Sequence, residues 1–408
     1  MHLSLQATSS RAKALHLAAL TTWLCLFLYC SRYAFADPSS AFFQRARAYT
    51  PQHSAIREAE ADDYVSRLLG KAAHSHSFSG SRSSQKLQAF GEDVSREEIC
   101  VGIPSLKRDN EQFLRRAVAS LLDSLDEKEH LELYLIVLLA DQEPDTNPAY
   151  GQAWLEYLAD EVLIYDKDTS TLPAGLANYR RLPPKDVPPA KRKKHLRLDH
   201  AALLQACQRR QAPYFVIIED DVIASRDWYK RLRWGLDEAE STHSPRDWLY
   251  LRLFYSETFL GWHAEEDLIY LRNILLVYFC VSGLTRHMRT YIGVYFWTTA
   301  FIALHFMAGR VFLYGYSPGL HEMPNYGCCG QGLAIPNRHL AMLEDRFLQP
   351  PFLIAGDALI EEIANEDGFR KLALVPSVLQ HVGVRGSSAP GGKIRKTFNF
   401  SFERLRTT

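Results

Sequence analysis

Deep inside the chain, Tyr291 to Ala308 (YIGVYFWTTAFIALHFMA) runs for eighteen residues without a formal charge. Just before it, residues 274–284 (ILLVYFCVSGL) are apolar but short, and reach spanning length only by including Arg272 and Asn273. Between them lies Thr285-Arg286-His287-Met288-Arg289-Thr290, a tight basic connection. Hydrocarbon accepts only segments whose backbone polar groups are satisfied internally, and basic loops stay in the cytosol. The pattern therefore predicts a transmembrane hairpin with a cytosolic loop, although Arg310 on the far side runs against the charge rule. A pair of buried core helices would give the same pattern. An even number of crossings returns the chain to the side it left, so the segments before and after can share one fold.

A further apolar run lies at 14–30 (ALHLAALTTWLCLFLYC), preceded by Arg11 and Lys13. It reads as an uncleaved anchor, with residues 1–36 forming a cytosolic tail and first span. Ala34-Phe35-Ala36 offers a cleavable signal peptide as the alternative. Either reading sends the following residues into the secretory lumen. The 47 Lys+Arg residues balance 47 Asp+Glu, so no basic field supports nucleic-acid binding. Seven cysteines with no C-x-x-C pair argue against a zinc ribbon or thioredoxin-like site.

Residues 37–95, rich in Ser, Ala, His and charge, read as a lumenal stem, helical around 54–69. Two parts of one α/β domain follow, at 96–270 and 312–408, interrupted by the hairpin segment 271–311. Short apolar runs predict strands at 99–103, 133–139, 161–165, 214–218 and 248–254. Helical patterns cover 111–125, 150–159 and 195–209. Strands alternating with helices imply a mostly parallel sheet covered on both faces. No glycine-rich phosphate loop follows the first strand, which removes the main support for hydride or P-loop chemistry.

In such sheets ligands bind beyond the carboxyl ends of the strands. Asp141, Asp166 and Glu219-Asp220-Asp221 each follow a predicted strand. Three consecutive carboxylates at a buried strand end repel one another unless a cation compensates. Their hard oxygens suit Mn2+ or Mg2+. The plainer alternative is an acidic turn in which Asp221 or Asp227 caps the next helix. Downstream, Gln380-His381-Val382-Gly383 closes an apolar stretch with a metal-capable imidazole. Gly356-Asp357 places an acid at a helix start, where it is either a base or an N-cap, with Glu361 one turn on along the same face. Pro104, Ser105 and Arg108 follow the first strand and suit a nucleotide or a solvated turn. Arg197, Asp199 and the 191–194 basic run are further nucleotide candidates. On the acceptor side, Trp262 offers a sugar-stacking ring or an interfacial anchor, with Glu257 nearby. Tyr326 opens a small-residue loop whose Cys328 and Cys329 are free to pair with Cys100 or Cys207. Asn399-Phe400-Ser401 is a glycosylation sequon, consistent with a lumenal glycoprotein.

These motifs together resemble metal-dependent GT-A glycosyltransferases, with E-D-D standing for their D-x-D motif. Gln380-His381-Val382-Gly383 is similar to the Q-H-V-G element of N-acetylglucosaminyltransferase IV enzymes. The spans inserted inside the catalytic domain resemble the Golgi post-GPI-attachment N-acetylgalactosamine transferases, over all but the stem and extreme tail. The resemblance implies a GT-A-like domain in a multi-pass Golgi membrane protein, its catalytic part lumenal. It also implies transfer of N-acetylgalactosamine (GalNAc) from UDP-GalNAc to the first mannose of the GPI glycan on GPI-anchored proteins. The site roles implied are Asp221 and His381 on Mn2+ (or Mg2+), with Pro104, Ser105, Arg108, Asp141, Glu219 and Asp220 at the donor. Asp357 is the implied base of an inverting displacement, and Glu257, Trp262 and Tyr326 are the acceptor candidates. Membrane lipid is an expected partner and nucleic acid is not. Competing readings are a UDP-GlcNAc-dependent N-glycan branching transferase and a non-catalytic glycan-binding scaffold.

Overall fold

The computed structural model describes residues 2–74, 82, 86, 97–109, 111–167, 176–188, 190–244, 247–285, 291–323, 330–383 and 397–405. The basic connection 286–290, Tyr326, Cys328 and Cys329 lie outside them. The chain divides into two units, Met1–Thr50 with Glu257–Ser317, and Pro51–Ser256 with Pro318–Thr408.

The first unit is helical. Its long helices are His2–Tyr33, Asp267–Thr285 and Tyr291–Ala308. By length and composition, Lys13–Ala36 and Glu257–Thr285 could each cross a membrane, whereas Ile292–Ala308 is apolar but shorter. Along 14–30, 274–284 and 292–308 apolar residues are spread round these helices rather than gathered in one stripe. Trp23 Nε1 donates to Ala300 O at 3.0 Å. Tyr278 and Ser282 meet Thr299 and Tyr295 through hydroxyl contacts of 2.7 Å. Gly309 has φ +93°, and a Cβ there would lie 2.2 Å from Asp37 Oδ2, so only glycine fits this tight return.

The second unit is mixed α/β, with a mostly parallel central sheet and flanking helices. Its strands are β1 (Ile99–Ser105), β2 (Leu133–Leu139), β3 (Glu161–Tyr165), β4 (Tyr179–Leu182), β5 (Tyr214–Ile218) and β6 (Val222–Ala224). They continue as β7 (Trp248–Arg252), β8 (Gly319–Glu322), β9 (Gly332–Pro336), β10 (Arg370–Val375) and β11 (Leu379–His381). The main sheet runs β4-β3-β2-β1-β5-β9-β7-β10-β8, and β6 and β11 form a separate antiparallel ribbon. All seven residues of β2 are buried, which is why an unbroken apolar run, rather than an alternating one, marks a strand covered on both faces.

Strands at 133–139, 161–165 and 214–218 fall where the sequence places them. The helices expected at 111–125, 150–159 and 195–209 become Leu114–Leu122, Ala153–Leu158 and Arg192–Arg210. Strand β9 was not foreseen. Its five residues carry no alternation and end in proline, yet they pair antiparallel with both β5 and β7. Two further differences concern the flanks. Helix His53–His74, inside the segment read as stem, belongs to this unit. There Arg57 is buried and donates to both Asp123 oxygens at 2.6 and 2.9 Å. Cys100 and Cys207 are disulfide-bonded to each other, with Cα atoms 5.7 Å apart, rather than to the 328–329 pair.

The sequon reading also needs correction. Asn399 is fully buried: its Nδ2 donates to Tyr255 O at 2.9 Å and its Oδ1 accepts from Phe402 N at 2.8 Å. An amide used this way is a core residue, inaccessible to glycan attachment once folded. Treatment with an N-glycanase should therefore leave the mass of the folded protein unchanged. Asn399→Ala, which strands both partners, should cost about 1–3 kcal/mol in a denaturant melt.

Candidate active site

The parallel strands end at one edge of the sheet, and β9, running the opposite way, starts there. Glu219, just past β5, therefore meets the start of β9, with its N–H donating to Gln331 O at 3.3 Å. At this edge lies a cavity of about 420 Å³ lined by Pro104, Leu106, Arg108, Ala140, Arg192, Leu196, Asp199, Glu219, Asp220, Asp221, Gln331, Asp357 and His381 among others. That volume is typical of a small-molecule site.

The ribbon aligns the two distant halves. His381 is opposite Val222, and Val382 N donates to Asp221 O at 2.9 Å. His381 Nε2 consequently sits 3.2 Å from Asp221 Oδ2. Glu219, Asp221 and His381 each offer one ligand atom, all within 4.8 Å of one another. Asp221 Oδ1 and His381 Nδ1 are buried with no hydrogen-bond partner. Buried polar atoms left unpaired call for an explanation, and Asp221 Oδ1, with Glu219 and His381 each offering a ligand atom beside it, fits a divalent cation.

The middle acid does different work. Asp220 accepts from Ser105 Oγ at 2.6 Å and pairs with Arg108, which also reaches Asp221 Oδ2 at 3.0 Å. Burial pushes the Asp220 carboxyl up, with Asp221 adding to this and Arg108 opposing it. Burial would raise Asp221 too, but His381 and Arg108 outweigh it and hold that carboxyl below its usual range. Glu219 is raised well above its ordinary value, first by its enclosure and then by Asp221, Asp357 and Asp220. The cluster thus holds more negative charge than Arg108 can neutralise.

Two glycines make the crowding possible. A Cβ on Gly383 would fall 2.2 Å from Asp221 Oδ2, and one on Gly330 would fall 2.7 Å from Asp357 Cβ. The Q-H-V-G glycine is therefore a requirement of the backbone passing beside the carboxylate.

Asp357 lies in the first turn of helix Gly356–Glu366, whose N-cap is Ala355, so Asp357 is not the cap. Asp221 leads into β6 rather than into a helix. Asp227 does occupy the N-cap of helix Trp228–Thr242, but its side chain makes no capping bond and accepts from Ser225 Oγ instead. Glu361, one turn after Asp357, joins the buried Arg252 and Tyr250 hydroxyl. Arg197 is also structural: it donates to the carbonyls of Phe347 at 3.0 Å, Gln349 at 2.7 Å and Pro351 at 3.2 Å, clamping the loop that leads to Asp357. Asp199 reaches the cavity wall while bound to Lys185 Nζ at 2.7 Å and the Tyr165 hydroxyl at 2.8 Å. Asp141 accepts from Lys107 N at 3.1 Å and Asn147 Nδ2 at 2.8 Å, tying the turn after β1 to the end of β2.

Glu257 and Trp262 belong to the helical unit. Glu257 is buried. Trp262 donates to Phe306 O at 3.1 Å and packs among Tyr270, His305, Phe306 and Tyr314. Sequence reasoning missed Leu106, Leu196 and Gln331, and Gln331 had no signal beyond the glycines flanking it.

With this geometry in place, residues 99–380, more than half of the chain, match the family model described as GPI-N-acetylgalactosamine transferase PGAP4. The chain belongs to this family. The match begins at β1 and takes in the acidic triplet, Asp357 and Gln380. A relative, alpha-1,3-mannosyl-glycoprotein 4-beta-N-acetylglucosaminyltransferase A of Xenopus tropicalis, is 24% identical over 197 residues, covering 44% of this chain and 34% of that protein. The chain thus spans about a third of that relative's length. The name of that relative, like the description of the PGAP4 family, is that of a glycosyltransferase.

Two predictions follow from the crowding and charge of the site. Gly383→Ala should lower the transfer rate about 100-fold, as a displacement near 1 Å does, in a protein whose circular dichroism is unchanged. Because Glu219 is raised in the metal-free protein, cation binding should displace its proton. Calorimetry of Mn2+ binding in two buffers of different ionisation enthalpy should therefore show proton release, and affinity should strengthen as pH rises.

Proposed function

We propose that the chain is a membrane-bound transferase that moves GalNAc from UDP-GalNAc to the first mannose of the GPI glycan on GPI-anchored proteins, by metal-dependent inverting displacement. The observation that carries this reading is the Glu219, Asp221 and His381 cluster sharing one cavity with Asp357, in a chain of this family.

Glu219, Asp221 and His381 would hold Mn2+ (or Mg2+), which when bound supplies Lewis-acid neutralisation of the departing diphosphate. Arg108 adds a fixed positive charge on the same wall and is held by Asp220, itself oriented by Ser105. Pro104, Leu106, Ala140 and Leu196 form the apolar part of the cavity and suit a nucleobase. Asp141 supports the donor side indirectly, through the loop it ties. Asp357 takes the proton from the attacking mannose hydroxyl. A bond forms from that oxygen to the anomeric carbon while the bond to the UDP oxygen breaks, and its electron pair leaves with UDP. A single displacement of this kind inverts the anomeric centre.

Topology follows from the same reading. The first helix is an anchor, and Asp267–Thr285 with Tyr291–Ala308 form an inserted transmembrane hairpin, giving a multi-pass Golgi protein with a lumenal catalytic unit. The Cys100–Cys207 disulfide supports an oxidising compartment. A lipid-linked acceptor is confined near the bilayer, which gives spans within the chain a purpose. Tyr326 keeps its acceptor-side assignment, whereas the burial of Glu257 speaks against one and the aromatic packing of Trp262 favours the interfacial-anchor role.

The decisive experiment is mass spectrometry of GPI glycans from cells lacking the chain, complemented with wild type or Asp221→Ala. Loss of one N-acetylhexosamine from the core, restored by wild type alone, is the expected result. An unchanged GPI profile with altered N-glycan antennae would favour the branching-transferase reading suggested by the Xenopus relative. UDP binding without turnover would favour the scaffold. Asp357→Asn should retain Mn2+-dependent UDP binding while transfer falls by about 10²–10⁴-fold.

A further inference from the structure

His381 sits on the weakest piece of secondary structure at the site. β11 and β6 are three residues each and stand apart from the nine-stranded sheet. A two-stranded ribbon of this size is marginal by itself. A histidine that binds metal ordinarily passes its second ring nitrogen to a carboxylate or carbonyl, which fixes the ring. His381 lacks that support: Nε2 faces Asp221, and Nδ1 has no partner.

What holds the strand instead lies on its other face. Alternation along a strand sends Gln380 away from the cavity, and there it is fully buried. Its Nε2 donates to Glu403 Oε1 and to Asn399 O, both at 2.8 Å, and its Oε1 accepts from Asn399 N at 3.0 Å. Glu403 Oε2 accepts from Gln52 N at 2.8 Å and Ser54 N at 3.2 Å, at the start of helix His53–His74. Asn399 is itself locked to Tyr255 and Phe402. Phe398 adds a ring against His381, with centroids 6.1 Å apart. Buried polar networks with every member satisfied are rigid and specify one arrangement.

We propose that the C-terminal segment is a working part of the cation site, in which Asn399 and Glu403 are positioning residues that set His381 through Gln380. The turn Phe402–Arg404, together with the start of helix His53–His74, takes the place of the missing support at the ring. This inference rests on the reading that Glu219, Asp221 and His381 hold a divalent cation.

The test measures Mn2+ binding directly, by the electron paramagnetic resonance of free Mn2+, on the full-length chain in detergent. Wild type and His381→Ala establish the site. Glu403→Gln keeps volume but leaves one arm of the clamp unmatched, because an amide cannot accept on both sides. Asn399→Asp sets a carboxylate oxygen against the Tyr255 carbonyl, where neither can donate. Asp160→Asn removes the partner of buried Arg82, 2.7 Å away, at the amino end of β3 and so at the opposite end of the sheet from the cavity, and serves as the control for general destabilisation. Glu403→Gln and Asn399→Asp are expected to weaken Mn2+ binding roughly 10- to 100-fold, as loss of outer partners does. Asp160→Asn is expected to bind as wild type does, even where its metal-free melting temperature falls as far as theirs. Wild-type affinity in both clamp variants, or equal weakening in Asp160→Asn, would overturn the clamp while leaving the cation site standing. Identical weak binding by wild type and His381→Ala would overturn the cation reading itself, and the clamp with it.

Discussion

Three carboxylates in succession at the end of a buried strand are electrostatically costly, and much of the catalytic unit is arranged around that cost. Each acid is answered from a different part of the chain. Ser105 and Arg108, at the end of β1, take Asp220. His381, arriving more than 150 residues later, takes Asp221. Glu219 is left near Asp357, its carboxyl raised first by burial and then by its acidic neighbours. A site tuned only for stability would replace the triplet with apolar residues, since buried ions seldom recover their desolvation. Retaining it makes sense where a charge is to be met by something that comes and goes.

The sheet explains why the answers converge. Parallel strands deliver their carboxyl ends to one edge, so acids separated by tens of residues become neighbours there. The antiparallel β9 adds an amino end to the same edge and with it Gly330 and Gln331. Close approach then becomes the limiting factor, and Gly330 and Gly383 are the positions at which the backbone leaves no room for a side chain.

Much of this was legible in the sequence because it is encoded locally. Unbroken apolar runs at 133–139 and 214–218 identify strands buried on both faces, and an acid directly after such a run is placed by the strand itself. Glu219, Asp220 and Asp221 are marked on those grounds, whereas His381 is marked by the apolar stretch it closes and Asp357 by the helix start it occupies; all five line one cavity. What stayed hidden depends on contacts between distant residues. Nothing local in Gly332-Leu333-Ala334-Ile335-Pro336 shows that it will sit between β5 and β7. The sequon at Asn399 reads as an exposed glycan acceptor, and only the folded chain reveals its amide inside the core. Arg197 and Asp141 look like ligands by charge but are occupied with carbonyls and turn groups. The pairing of Cys100 with Cys207 likewise follows from β1 lying under the helix that carries Cys207, a relation that spacing cannot express.

The place of β9 has a consequence for biosynthesis. The chain makes β5 and β7 early, then emits the helices of residues 257–317, and only afterwards produces the strand that lies between the earlier two. Until then both strands expose backbone edges, the state in which chains associate wrongly. The ribosome must also deliver β11 and the residues that follow it before the acidic triplet has its histidine. A nascent chain ending anywhere before residue 332 is therefore an unfinished sheet, with β5 and β7 both made and nothing yet between them.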